Sequence, residues 1–410
     1  MHPKQMIYKD AIDWLYSTQQ FGIKLGLDQP RRLLKETLCF PKAGVNVIHV
    51  AGTNGKGSTC AMIDSLARAC GTRAGLFTSP HLLQYGERIR VNGVMISESM
   101  IAEYLTDIRN HVASWENHPT FFEITLAVAM RYFRAQNCEL IILETGMGGR
   151  LDATTAVPAT LAIITPIAMD HSQWLGDTLE KIASEKAGII VPGNPVISAA
   201  QEHTAHTVIE EEANRNISPI EFINHPLEGY HINLAGRHQR ENAALAVAAC
   251  DRIKLPLNSD IVRQALSEVT WPGRFEKLDN YNIILDAAHN PHSATALVAT
   301  WEEQYPNQKA HIIFGAVEQK NTDKVLAIIA PITENLHLTP TNSARTLSLV
   351  DLQSALPSGI AYTVHESLDD ALSVVNDFNE TTPALICGSI FLIGQAKAQL
   401  MGTDTRSSEQ

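Results

Sequence analysis

The chain has 410 residues, a hydrophobic fraction of 45%, a charged fraction of 19% and a formal net charge of -12. That length exceeds one ordinary domain, and the composition can fill two cores. An acidic balance without a basic run argues against nucleic acid, and no apolar stretch reaches the roughly eighteen residues of a membrane span. From the N-terminus, MHPKQMIYKDAIDWLYS lacks the apolar core of a signal peptide. Val47–Val50 reads as a strand, Lys56–Cys70 as a helix stopped by Gly71, and Ala74–Thr78 as a second strand. Phe121–Gln136 has helical spacing, and Leu140–Leu143 is a buried strand ending at Glu144. Strands at Leu161–Thr165 and Val196–Ser198 flank a helix near Leu179–Ala187, and helices follow at Asn242–Asp251 and Ile261–Val269. The breaker Trp271-Pro272-Gly273 marks a hinge or domain boundary. Beyond it strands are expected at Ile283–Asp286, Ala310–Phe314, Leu336–Leu338, Tyr362–Val364 and Ala384–Ile386, with helices between. Such alternation predicts an α/β protein with a mostly parallel sheet, then a smaller α/β domain. The polar tail 403–410 reads as disordered. Six cysteines without CxxC spacing suggest neither zinc nor disulfides, and fit the reducing cytoplasm.

The strongest local signal is His49-Val50-Ala51-Gly52-Thr53-Asn54-Gly55-Lys56-Gly57-Ser58-Thr59, between a strand and a helix. Glycines let backbone N–H groups close on phosphate oxygens, and the helix N-terminus adds positive charge. Lys56 can reach the terminal phosphates of a nucleotide, and Ser58 can offer its hydroxyl to Mg²⁺. The run departs from G-x-x-x-x-G-K-[ST]: Val50 stands at the first glycine position, and Gly57 is inserted after the lysine.

The run AGTNGKGST resembles the ATP loop of folylpolyglutamate synthases and dihydrofolate synthases, within the wider Mur ligase superfamily. Further matches follow in chain order: LGLDQPRRLL, TSPHLLQYGERIRVNG, FFEITLAVA, LETGMGGRLDATT, MDHSQWLGDTLEKIASEKAGI, NAALA, WPGRFE, DAAHNPHSA and GSIFLIGQA. The resemblance implies an N-terminal P-loop ATPase domain over 1–270 and a Rossmann-like, glutamate-ligase C-terminal domain over 271–402, with the active site between them. Cell-wall Mur ligases carry a further domain before their ATP loop, and the 51 residues preceding Gly52 are too few for one, so the folate branch is expected.

The implied activity is ATP-dependent ligation of L-glutamate to dihydropteroate, to tetrahydrofolate glutamates, or to both, through an acyl phosphate. Asn54, Gly55, Lys56, Gly57 and Ser58 would hold the nucleotide, with Asn242, Arg274 and Asp286 around its nucleoside end. Asn242 reads as the start of a helix, where it could also be only an N-cap. Ser58, Ser79, Glu144 and His171 match the metal ligands, for two Mg²⁺ ions and a monovalent cation besides. A carboxylate at a strand's carboxyl end suits such an ion. His171 alone would read as a loop histidine, and Ser79 alone as turn chemistry. Lys186 matches a lysine often carboxylated on its side-chain nitrogen, which otherwise reads as a surface lysine. Arg88, His289 and Ser389 match positions linked to glutamate or the acyl phosphate. The folate pocket would draw on Leu25, Gly26, Leu27, Thr120, Phe121, Phe122, Glu123, Leu151, Asp152 and Ala153, with both phenylalanines as flat apolar faces or plain core. A monomer acting on small molecules is implied. The competitors are a ligase with another acceptor, a phosphotransferase or ATPase, and a folate- or nucleotide-binding protein without catalysis. After the strand at Ala310–Phe314 the run GAVEQKN departs from the family's pattern.

Overall fold

The computed structural model describes residues 5–22, 24, 26–278, 280–318, 321–376, 383–403 and 405. The strands are β1 (Asn46–Ala51), β2 (Ala74–Phe77), β3 (Ile89–Val91), β4 (Val94–Met95), β5 (Leu140–Glu144), β6 (Leu161–Ile164), β7 (Val196–Ala199), β8 (Ile220–Ile223), β9 (Glu276–Leu278), β10 (Ile283–Leu285), β11 (Ala310–Phe314), β12 (Thr333–Leu338), β13 (Tyr362–Val364) and β14 (Ala384–Cys387). They form two sheets, ordered β4-β3-β2-β5-β1-β6-β7-β8 and β13-β12-β11-β14-β10-β9. Pairing is parallel except at the edges, where β3 runs antiparallel to β2 and β4, and β9 antiparallel to β10. The α/β architecture expected from the alternation is what the chain adopts.

Central strands are buried on both faces and read as unbroken apolar runs, such as Leu140–Leu143 and Leu161–Ile164. One face of the larger sheet packs on the helix Lys56–Ala69 and the Ala-rich helix Arg237–Arg252, the other on Phe121–Ala135 and Leu179–Ala187. That Ala-rich helix begins more than a turn before Asn242, which is therefore mid-helix rather than an N-cap. The helices Tyr8–Ser17, Asp28–Glu36, Glu98–Val112 and His203–Arg215 add to those expected.

The order places β1 between β5 and β6, with Val50 opposite Glu144 and Ala51 opposite Ile164. The chain crosses to opposite sides of β1 here, and its carboxyl end opens into the crevice where α/β sheets bind ligands. Trp271, in the connector between the sheets, lies against the first turn of the loop's helix: a Cβ on Gly57 would fall 2.7 Å from its indole nitrogen. All six cysteines are free thiols. Among the described residues no helix is long and apolar enough to cross a membrane. Residues 404 and 406–410 of the expected disordered tail lie outside the described residues.

Candidate active site

β1 delivers Gly52–Gly55 as a loop that turns into the helix at Lys56. Gly55 takes φ +87°, and a Cβ there would sit 2.4 Å from Asn242 Oδ1, so conformation and space both demand glycine. Lys56 Nζ folds back to donate to the carbonyls of Gly52 and Thr53, each at 3.2 Å. Ser58 and Thr59 are buried, and among the described residues their hydroxyl oxygens find no hydrogen-bond partner. Thr145, just past Glu144, has the same character. Buried hydroxyls left unsatisfied cost on the order of 1–3 kcal/mol each, which a ligand can recover.

Glu144 is buried at the end of β5, its Oε2 accepting the Ser79 N–H at 3.0 Å. Burial pushes its carboxyl up from the usual range, and the Lys56 charge opposes the shift. Lys186 is buried too and donates to the Gly52 carbonyl at 2.7 Å. It comes so close because Gly149 lets the helix Leu179–Ala187 approach: a Cβ there would fall 2.6 Å from the Glu185 carbonyl. His171 caps the short helix Ser172–Leu175 in the left-handed region, φ +51°, where a non-glycine residue is uncommon. Ser58, Ser79, Glu144 and His171 line a single cavity. Their donors, two hydroxyls, a carboxylate and an imidazole, include the oxygens a hard divalent ion takes, and the orphaned Ser58 hydroxyl is its natural first ligand. Among the described residues no group of three His, Cys, Asp or Glu side chains gathers.

The second sheet closes this cavity, which measures about 220 Å³. Arg274, Asp286 and His289 line it from the far side, and Asn54, Asn242 and Lys186 from the near side. Asp286 braces the connector, accepting from the N–H groups of Phe275 and Ala288, both at 2.8 Å. A polar clasp crosses the cleft. Asn54 Nδ2 lies 2.9 Å from His292 Nδ1, and Asn290 Nδ2 donates to Asn54 Oδ1 and Asp170 Oδ2, each at 3.2 Å. His289 Nε2 lies 3.4 Å from Asp170 Oδ2. Asp170, Asn290 and His292 were not picked from the sequence, although all three fall inside the quoted runs MDHSQWLG and DAAHNPHSA. Only their meeting across the cleft gives them meaning. His238 also joins the wall, its imidazole lowered to about 4 by burial.

A second cavity, about 270 Å³, opens beside the first and shares Ser79, Pro80, His171 and His289 with it. Thr120, Phe122, Glu123, Leu151, Asp152, Ala153 and Ser389 line it, as the sequence led one to expect, and Lys24, Trp174, Glu318 and Arg345 join them. Other expectations need correction. Phe121 is fully buried, edge-on to Tyr16 and Tyr85, and belongs to the core; its neighbour Phe122 turns to the cavity. Consecutive helical residues point about 100° apart, so one of such a pair faces inward. Arg88 does not reach either cavity: it is fully buried, donates to His81 Nδ1 at 2.8 Å, and lies over the Phe121 ring. Gly26 and Leu27 line neither cavity, and Leu25 lies outside the described residues. Within GAVEQKN, Val317 and Glu318 reach the second cavity, while Gln319 and Lys320 lie outside the described residues.

Residues 50–225 match the Mur ligase middle domain, and residues 273–390 the Mur ligase glutamate ligase domain. The dihydrofolate synthase/folylpolyglutamate synthase of Bacillus subtilis (strain 168) is 31% identical over 96% of this chain and 99% of its own length. The chain belongs to the dihydrofolate synthase/folylpolyglutamate synthase family. The Escherichia coli (strain K12) relative is 30% identical over 93% of each chain. Among solved structures, the Yersinia pestis bifunctional enzyme complexed with AMPPNP and Mn ion superposes with a TM-score of 0.87 at 28% identity, covering 98% of this chain and 100% of that one. Escherichia coli FolC in complex with DHPP and ADP superposes with a TM-score of 0.86 at 27% identity, covering 96% and 98%. The first cavity opens at the Gly52–Ser58 loop, and the second abuts it.

Proposed function

We propose that the protein ligates L-glutamate to a folate-type carboxylate with ATP, accepting dihydropteroate, tetrahydrofolate glutamates or both. The observation that carries this reading is the junction of the two cavities at Ser79, Pro80, His171 and His289. A nucleotide in the first would bring its terminal phosphate to the end of an acceptor in the second. The complexes of relatives with ADP, AMPPNP, Mn ion, DHPP and L-glutamate support the same assignment of ligands.

In this reading, residues 1–270 form the ATP domain and 271–402 the glutamate-ligase domain. The loop amides and Lys56 hold the phosphates, and Asn242, Arg274 and Asp286 lie at the nucleoside end. Ser58, Ser79, Glu144 and His171 would hold divalent ions, two Mg²⁺ by the family's pattern, with a monovalent cation besides. When bound, these ions neutralise charge on the phosphoryl oxygens. Lys186, beside the loop at Gly52, is assigned as the lysine carboxylated on Nζ. The acceptor carboxylate attacks the γ-phosphorus, the bond to the bridging oxygen breaks, and ADP leaves with that electron pair. The glutamate amine, having released its proton, attacks the acyl phosphate carbonyl, and the tetrahedral intermediate expels phosphate. Lys56 counters charge on the transferred group, and walls from both sheets exclude water from the acyl phosphate. Arg88, buried against His81 and the Phe121 ring, does not touch substrate in this reading. The protein works as a cytoplasmic monomer on small molecules.

The test is phosphate release from Mg-ATP with L-glutamate and either dihydropteroate or tetrahydrofolate, with mass spectrometry of the products. One glutamate gained on dihydropteroate, or successive glutamates on tetrahydrofolate, is the expected result. Glutamate-independent or absent phosphate release with both acceptors, from folded protein that binds ATP, would move the assignment to another acceptor.

A further inference from the structure

His49 lies in β1, three residues before Gly52, at the centre of the sheet. It is 1% exposed and stands just before the G-x-x-x-x-G-K-[ST] pattern, whose first position falls at Val50. Strand alternation puts the His49 side chain on the face of β1 that carries Val47, and Val47 shares a core with Ala153, Ala156 and Val157. A polar ring in such a place must find a partner. It finds one: His49 Nε2 is 2.6 Å from Thr154 Oγ1, and Thr154 is itself fully buried. The Thr154 hydroxyl donates in turn to Asp152 Oδ1 at 2.5 Å. A hydroxyl has one proton, and here the carboxylate takes it, so Nε2 of His49 must be the donor to Thr154. The chain therefore runs one way, from His49 through Thr154 to Asp152. Burial lowers the His49 imidazole to about 3, which keeps the ring neutral and the order of donors intact.

Asp152 is the end of this chain and part of the second cavity's wall. Its Oδ1 also accepts the Thr154 N–H at 3.0 Å, and its Oδ2 the Met147 N–H at 2.9 Å. The same carboxylate thus ties the Gly146–Gly149 turn, which borders both cavities, to the strand that carries the phosphate loop.

We propose that His49 and Thr154 are positioning residues of the acceptor site, forming a directed hydrogen-bond chain from the phosphate-loop strand that holds the Asp152 carboxylate as an acceptor at the wall of the second cavity. This rests on the folate-ligase reading above. The chemistry favoured is an acceptor that presents N–H donors to that wall, as the 2-amino-4-oxo ring edge of a pterin does. Neither residue touches the substrate; each acts through Asp152.

Steady-state phosphate release by the full chain, with dihydropteroate varied at saturating Mg-ATP and L-glutamate, tests this with Thr154→Val, Thr154→Ser, His49→Leu and His49→Gln. Thr154→Val is expected to raise the KM for dihydropteroate about 10-fold, the cost of one hydrogen bond to a charged group, with kcat and the KM for ATP within about 2-fold. Thr154→Ser, which keeps the hydroxyl, restores the wild-type KM. The acid limb of kcat/KM for dihydropteroate moves to higher pH in Thr154→Val, because Asp152 has lost a donor that favours its charged form. His49→Leu follows Thr154→Val, and His49→Gln, which retains an N–H at similar reach, follows wild type. If Thr154→Val does not fold, the two His49 variants carry the comparison. An unchanged dihydropteroate KM in Thr154→Val and His49→Leu overturns the proposal, as does an equal loss in every parameter that the conservative variants fail to rescue. Wild-type protein inactive on every folate acceptor would instead overturn the functional reading.

Discussion

Glu144 sits under opposing demands. Burial raises its carboxyl pKa, while Lys56 and the Ser79 N–H favour the charged form, and burial dominates. In a folded state whose pKa is raised, stability is fully present below the unfolded value of about 4.3 and is lost as pH rises through the folded value. At neutral pH the burial of Glu144 is therefore a net cost to the ligand-free protein. Glu144→Gln should raise the ligand-free melting temperature at pH 7 by a few degrees and leave it unchanged near pH 4, while phosphate release falls by about 100-fold or more. Added Mg-AMPPNP should stabilise wild type more than the variant. Scanning calorimetry with and without nucleotide reads both signs, and a variant less stable than wild type at pH 7 would contradict the argument. At this scale much was legible: a lysine and hydroxyls at a helix start, and a carboxylate closing an apolar strand, are local patterns. The choice between Phe121 and Phe122, and the burial of Arg88, were not legible, because both depend on which way a side chain points after packing.

Among the elements, the C-terminal sheet carries a row of histidines. His337 on β12 has Nδ1 3.0 Å from His365 Nε2, and its Nε2 lies 3.5 Å from Nδ1 of His311 on β11. Burial first, then the neighbouring imidazoles, lowers His337 to about 4; His311 and His365 are lowered too, with Glu334 and Asp370 opposing. A depressed histidine contributes stability above its unfolded value of about 6.5, and that stability is lost as pH falls towards the folded value. The unfolding free energy from urea titration should therefore drop between pH 6.5 and 4, by on the order of 2 kcal/mol from His337, and His337→Gln should flatten that limb. An acid limb equally steep in the variant would assign the loss elsewhere. The strands β1, β5, β6 and β11 were readable as apolar runs, and the helix Leu179–Ala187 by its spacing. The short strands β3, β4 and β9 were not: they are two or three residues long, and pairing rather than composition makes them strands.

For the molecule as a whole, the clasp Asn54–Asn290–Asp170 joins the two halves of the chain across the cleft. Asn290 also caps its own helix, accepting the Ser293 N–H at 2.9 Å. Asn290→Ser keeps a cap but cannot span the cleft. It should leave AMPPNP affinity within about 3-fold while kcat falls about 10- to 100-fold, since misplacing the far wall misaligns glutamate with the acyl phosphate. Nucleotide titration beside steady-state kinetics separates the two, and equal losses in both would mean that Asn290 serves the nucleotide instead.

The sequence by itself determined the α/β class, the phosphate loop and the family, because strand periodicity, glycine geometry and ordered motifs are written along the chain. Tertiary structure alone decided which residues share a cavity. Asp170 and Asn290 are 120 residues apart yet meet at 3.2 Å, and His49 reaches Asp152 only because β1 lies beneath the turn that carries it. Contacts of that kind follow from strand order and from the way distant parts of the chain face one another across the cleft, and no local pattern encodes either.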